Sequence, residues 1–177
     1  MQELDNKYQN FPLYGRLVLL KPFTKKNITV EYLDWLNNKA AMQHSNQRLC
    51  VHNHNSCEQY VDSFVRTDHL FLVIYYKDKM VGTMTAYISA KEQVADLGIL
   101  VDVQMRGKGI GLDAWSTLMD YLMGQGLSVT AGTTPANQAM IKIAEKSGMQ
   151  SEGQDYLEEI VNGARMKTLY CLYVSPP

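Results

Sequence analysis

One run of this sequence has residue types and spacing suited to chemistry: Gln104-Met105-Arg106-Gly107-Lys108-Gly109-Ile110-Gly111. Glycines at alternate positions permit a positive φ and let backbone N–H groups approach a ligand with no Cβ in the way. An apolar pattern of helical period follows, so a helix adds its free N–H groups and the positive end of its dipole. Arg106 and Lys108 add formal charge. Together these suit a pyrophosphate. Two familiar pyrophosphate loops do not match. A Walker loop ends in Gly-Lys-Ser/Thr at wider spacing. The dinucleotide fingerprint needs G-x-G-x-x-G and an acid about twenty positions on. Here the spacing is G-x-G-x-G, and the region of Val129 and Thr130 holds no acid.

Acid–base candidates are fewer. Asp96 lies in the apolar run Val94 to Val101 that leads into the loop, and period-two alternation puts Asp96, Gly98 and Leu100 on one face. A carboxylate among apolar neighbours has a raised pKa and is a better base near neutrality. The plainer alternative is a paired or solvated carboxylate at a strand edge. His44, His52 and His54 fall in a polar stretch from Asn37 to Asn55. They suit substrate contact or proton uptake, and equally a solvated loop. The neighbouring Cys50 and Cys57 match no common zinc spacing, so no metal is expected. Tyr75, Tyr76 and Tyr87 fall on a hairpin; alternation puts Tyr75 and Tyr76 on opposite faces, and Tyr87 is a candidate to line a cleft.

These residues need a scaffold. Leu17 to Leu20 reads as a strand ended by Pro22. Asn27 can cap a helix carrying Val30, Leu33, Trp35 and Leu36. Ser56-Cys57-Glu58-Gln59 has the form of a capping box ahead of a helix burying Tyr60, Val61, Phe64 and Val65. Leu70 to Tyr76 and Met80 to Ile88 form a hairpin around Asp78-Lys79. Val94 to Val101 is a strand, followed by the glycine loop and a helix through Leu122 that Gly126 closes. Ser128 to Thr133 is a short strand. Thr134-Pro135 opens a helix burying Met140, Ile143 and Ala144 and ending at Gly148. Gln150 to Tyr156 and Arg165 to Val174 are the last strands, with Asn162-Gly163 in their turn. The order predicts an α/β layout with a mixed sheet and helices on its faces.

Arg106-x-x-Gly109-x-Gly111 resembles the cofactor motif of the GNAT superfamily of acetyl-CoA-dependent N-acetyltransferases, and the resemblance runs from Arg16 to Val174. It implies a mostly antiparallel sheet of about seven strands with helices on both faces. It implies acetyl-CoA held by Arg106, Gly107, Lys108, Gly109, Ile110 and Gly111, with Ile99, Leu100 and Val101 pairing with the pantetheine arm and Asn137 near the cofactor. Glu145-Lys146-Ser147-Gly148-Met149 is similar to the family's helix end. The implied reaction is direct attack of an amine on the thioester, with backbone N–H groups near Gly98 to Val101 facing the oxyanion. Many members carry a tyrosine in the last helix that protonates the leaving thiolate; Ala144 stands there instead. Where some members place a glutamate, Gly132 and Thr133 stand, which leaves Asp96 as the acidic candidate.

Leu19-x-Lys21-Pro22-Phe23 and Tyr32-Leu33-x-Trp35-Leu36-Asn37 resemble the ribosomal-protein N-terminal branch of that superfamily. Ser45-Asn46-Gln47-Arg48 with Ser56-Cys57-x-x-Tyr60 is more similar to members that acetylate amino groups on nucleotide-linked deoxysugars. The sugar amine is the preferred expectation, with His44, His52 and Tyr87 on the substrate, and a protein N-terminus is the alternative. A silent CoA-binding module is a third.

The bulk numbers agree with one domain over residues 1–177, the first ten a loose lead-in. The chain has 177 residues, 46% hydrophobic and 20% charged, enough to bury a core. Seventeen Lys and Arg balance eighteen Asp and Glu, which argues against nucleic acid as partner. No apolar run is long enough to span a bilayer, so no membrane partner is expected. Three cysteines and a polar N-terminus fit the cytoplasm. A homodimer is compatible with all of this.

Overall fold

The computed structural model describes residues 6–161 and 163–177, with Asn46 described by its backbone alone. Among the described residues there are eight strands, β-branched and aromatic residues being densest in β3: β1 (Leu13–Tyr14), β2 (Leu19–Pro22), β3 (Leu70–Tyr76), β4 (Lys79–Ser89), β5 (Val94–Val101), β6 (Ser128–Thr133), β7 (Gln150–Val161) and β8 (Ala164–Val174). Four α-helices among the described residues join them: α1 (Val30–Asn37), α2 (His54–Ser63), α3 (Ile110–Gly124) and α4 (Gln138–Lys146). One sheet runs in the order β1-β2-β3-β4-β5-β6-β8-β7. Its neighbours are antiparallel except β5 and β6. The strand beyond the expected seven is β1, a two-residue segment folded back on β2.

Alternation divides the apolar side chains between two cores. Leu72, Ile74, Met84, Ala95, Leu97, Val129 and Ala131 pack with Ile110, Trp115, Leu118 and Leu122 of α3 and Ala144 of α4. Phe71 and Val73 pack with Tyr32, Trp35, Leu36 and Phe64 on the side of α1 and α2. Leu70 to Ile74 are all buried, which is why β3 reads as an unbroken apolar run.

Helix starts are where local reading and structure differ. Thr29, not Asn27, caps α1, its side chain accepting from the Tyr32 N–H at 3.2 Å. Asn27 instead closes a short 3-10 turn capped by Thr24. Val30 is thereby turned outward and is 76% exposed, while Tyr32 is buried. In α2 the capping box is Asn53 with Ser56, three residues earlier than expected, so Cys57 and Phe64 are buried while Tyr60 and Val65 reach the surface. Asn137, not Thr134, caps α4, and within that helix only Ala144 is fully buried, with Met140 and Ile143 half-buried. The β3–β4 turn falls on Lys77 and Asp78, both at positive φ (48° and 61°), one residue before the expected pair.

Two further expectations are revised. The lead-in is docked from Asn6 onward: Lys7 Nζ donates to the carbonyls of Phe64, Thr67 and His69 at 2.7, 3.1 and 2.8 Å. Tyr8 Oη accepts from the Phe71 N–H at 3.2 Å. Met1 to Asp5 lie outside the described residues. The last two strands are longer than expected and pair from Gln150↔Val174 to Val161↔Ala164. Asn162 in their turn lies outside the described residues, and Gly163 has φ +78°.

Candidate active site

The parallel pair β5–β6 carries the site because it stops early. Val94, Ala95 and Asp96 pair with Ser128, Val129 and Thr130. From there Thr130 to Thr133 continue along β8, and Leu97 to Val101 continue along β4 alone. The strands therefore part in a V with Asp96 and Thr130 at its vertex. Beyond the vertex, the backbone groups that β5 turns toward β6 have no ladder partner among the described residues. Ile99, Leu100 and Val101 edge this opening and can pair with an extended arm laid along it.

The glycine loop closes the wide end of the V. Buried Asp102 starts it, accepting from the Gln104 N–H at 3.1 Å. Gly107 and Gly109 both stand at φ +78°, a left-handed conformation that favours glycine, and Gly109 is the residue from which α3 starts. Among the described residues the N–H groups of Gly107, Lys108 and Gly109 make no hydrogen bond. Those of Ile110 and Gly111 open the helix and have no partner within it. A Cβ on Gly107 would meet nothing within 4 Å, so the cradle is open on that side. Gly111 serves helix packing, since its Cβ position lies 3.1 Å from Ile143 Cδ1, where α3 closes on α4. Arg106 donates to the Ala41 carbonyl at 3.4 Å, and Lys108 Nζ lies 3.6 Å from Met105 Sδ. Asp113, in the first turn of α3, accepts from the N–H groups of Arg16, Leu17 and Val18 at 3.1, 2.7 and 3.0 Å, which pins the β1–β2 turn beside the loop. Asn137 stands past β6 on the other lip, its Oδ1 accepting from the Met140 N–H at 3.3 Å. These groups fit a cofactor with a pyrophosphate and an extended amide-bearing arm.

Asp96 faces the α1–α2 side of the sheet, directly opposite Tyr87 in the β4–β5 register. The Thr130 hydroxyl donates to its Oδ1 at 2.9 Å. Partial loss of water raises the Asp96 pKa, and the Thr130 hydrogen bond pulls the other way. Tyr87 is 42% exposed, and its hydroxyl lies 2.7 Å from that of Tyr60. Two residues here escape local sequence reading. Tyr60 reads as core by helical period, yet the earlier start of α2 turns it toward β4. His69 carries no motif; its Nδ1 accepts from the Ile88 N–H at 2.9 Å, and its ring packs 5.2 Å from Tyr87.

The two histidines expected at the substrate separate. His44 reaches the lip after β6, its Nδ1 lying 3.4 Å from Thr134 Oγ1. His52 is held by its own segment instead: Nε2 lies 3.1 Å from the Gln47 carbonyl, and its backbone is paired with the Asn37 amide. Ala144 is fully buried in the core beneath α4. No group of three His, Cys, Asp or Glu suited to a metal occurs among the described residues, and no helix among them is long and apolar enough to cross a membrane.

Comparison with known proteins gives this geometry a family. The acetyltransferase from Salmonella typhimurium that modifies the N-terminal serine of a 50S ribosomal subunit protein has a similar structure, with TM-score 0.78 and 19% identity over 92% of this chain and 96% of that one. Spermidine N-acetyltransferase from Vibrio cholerae, solved with CoA and spermine, gives TM-score 0.74 and 16% identity over 89% and 94%. A GNAT-family acetyltransferase from Bacillus anthracis gives 0.75 and 16% over 93% and 97%. No curated protein matched by sequence. The family model described as Acetyltransferase (GNAT) domain matches residues 16–150. That span takes in the loop, the V and Asp96, and on it this chain belongs to the GNAT family and is an acetyl-CoA-dependent N-acetyltransferase.

Proposed function

We propose that the chain, acting as one domain, transfers acetyl from acetyl-CoA to a primary amine that reaches the V from the α1–α2 side. The observation that carries this reading is Asp96 at the vertex, with free N–H groups on the loop at the far end of the same opening. The loop residues Arg106 to Gly111 hold the pyrophosphate, Ile99 to Val101 the arm, and Asn137 the opposite lip. Asp96 takes the proton from the amine, whose nitrogen attacks the thioester carbonyl carbon. The carbon–sulfur bond then breaks, and the thiolate is protonated from solvent, since Ala144 offers no acid. His44 and Tyr87 border the acceptor; His52 steadies the segment that carries His44.

The acceptor face bears on substrate class. Alternation and register put Thr85, Tyr87, Asp96, Thr130, Tyr170 and Leu172 on it, with Asp155 and Glu159 further out. Beyond Thr83, no lysine or arginine of β4 to β8 stands on this face. A nucleotide-linked sugar would bring two phosphates to strands that offer no cation, whereas a protein N-terminus brings a positive charge. This favours the protein N-terminus over the sugar amine. A cytoplasmic setting, where acetyl-CoA is supplied, accords with three free thiols, Cys50, Cys57 and Cys171.

The test is thiol release from acetyl-CoA, corrected for hydrolysis, over three acceptors: a short peptide with a free N-terminus, an amino-sugar nucleotide and spermidine. Turnover with the peptide is the expected result. Turnover confined to the sugar nucleotide would reverse the choice of acceptor. Tight binding of acetyl-CoA without turnover of any amine would mark a silent CoA-binding module.

A further inference from the structure

The Tyr60–Tyr87 pair does something that packing alone does not ask of it. Tyr60 comes from α2 and Tyr87 from β4, and each is anchored through its ring. Tyr60 packs edge-on against Phe64 and Phe71 at 5.1 and 5.2 Å. Tyr87 lies against His69 and Phe64 at 5.2 and 5.8 Å. The two residues are 36% and 42% exposed, and 2.7 Å separates their hydroxyl oxygens. Partial loss of water and the bond to Tyr87 raise the Tyr60 pKa, and its hydroxyl keeps its proton at neutral pH. Two hydroxyls carry two protons, and the bond between them uses one. Neither oxygen has a further partner among the described residues, so the pair turns one O–H donor outward. The residue that bears one of these hydroxyls, Tyr87, is the direct cross-strand partner of Asp96 in the β4–β5 register and lies on the same face of the sheet.

We propose that Tyr60 and Tyr87 together are a specificity element that selects amines carrying an oxygen on the carbon next to the amine-bearing carbon. This rests on the reading that the acceptor reaches Asp96 from the α1–α2 side. Asp96 takes the amine, and the tyrosine pair donates to the neighbouring oxygen. The first carbonyl of a polypeptide has that placement, and so does the vicinal hydroxyl of an amino sugar. An alkyl polyamine has no such oxygen. Tyr87 makes the contact, and Tyr60 positions its hydroxyl.

Matched amines test this. Alaninamide is compared with isopropylamine as the peptide arm, and glucosamine with cyclohexylamine as the sugar arm. kcat/KM is measured for wild type, Tyr60→Phe and Tyr87→Phe. The intrinsic difference in amine basicity cancels when the ratio within each pair is compared between proteins. Each phenylalanine should reduce the ratio about threefold to tenfold, the worth of one neutral hydrogen bond, through a higher KM for the oxygen-bearing amine. The double variant should lose no more than the larger single loss, because the hydroxyls act as a unit. A response confined to the alaninamide pair identifies a polypeptide source, and one confined to the glucosamine pair a sugar source. Ratios unchanged in both variants, or an equal loss for both members of each pair, would overturn the proposal. If Asp96→Asn also left amine turnover intact, the acceptor-face reading itself would fall; if Asp96→Asn abolished turnover while the ratios stayed fixed, only the tyrosine assignment would.

Discussion

Replacing Asp96 by asparagine separates catalysis from folding in one variant. Asparagine keeps the shape, and its side-chain carbonyl still accepts the Thr130 hydroxyl now held at 2.9 Å. It removes only the basicity. Loss of a positioned general base costs about a hundred- to ten-thousand-fold in rate, so kcat at pH 7 should fall by that order. The deficit should shrink as rising pH deprotonates the free amine. In the wild type, the acidic limb of the rate profile should follow the raised Asp96 pKa, with activity lost as pH falls through it. Thr130→Val removes the hydrogen bond that favours the carboxylate and should move that limb to higher pH. Stability should respond in the opposite sense. Desolvation raises the pKa in the folded state above its unfolded value, so the ionised form is the less comfortable one. The ionised carboxylate thus costs stability, with the cost appearing as pH rises from the unfolded pKa through the folded one and complete above it. Asp96→Asn should accordingly melt no lower than wild type at pH 7. The assays are steady-state kinetics from pH 6 to 9 and thermal melts at the same values. Wild-type kcat across that range would refute Asp96 as base. A melt several degrees lower at pH 7 would refute the desolvation argument.

Gly109→Asp should keep the fold while acetyl-CoA affinity falls about a hundredfold or more by calorimetry, because φ is +78° there and a carboxylate would meet the pyrophosphate at close range. His44→Ala should raise the acceptor KM and leave the acetyl-CoA KM unchanged, whereas His52→Ala should increase proteolytic cleavage between Asn37 and Asn55, since its ring is bonded to that segment's own Gln47 carbonyl. Lys7→Ala strands the half-buried carbonyls of Thr67 and His69 between α2 and β3, while the Phe64 carbonyl keeps the Thr67 hydroxyl at 2.9 Å, and should cost about 1–3 kcal/mol, read as a Tm lower by several degrees.

What the chain encodes locally was legible without a structure. The loop from Arg106 to Gly111 is recognisable because positive φ and close backbone approach are properties of glycine itself, and Gly107 and Gly109 do adopt +78°. β3, β5 and β6 begin and end where apolar runs meet turn residues, at Leu70–Tyr76, Val94–Val101 and Ser128–Thr133. Helix starts were less legible: Asn27 and Thr29, or Asn53 and Ser56, are chemically able to cap, and packing of Tyr32 and Cys57 into the core decides between them. The site needed the tertiary fold. Asp96 is at a vertex only because β6 leaves β5 after Thr130 to follow β8, a strand more than thirty residues later. His44 meets Thr134 across 90 residues, Asp113 holds the backbone of Arg16 to Val18 across 95 to 97, and Tyr60 meets Tyr87 across 27. Periodicity within one element says which face a residue takes. Which element lies opposite that face is set by sheet order and strand register, and those are properties of the whole chain.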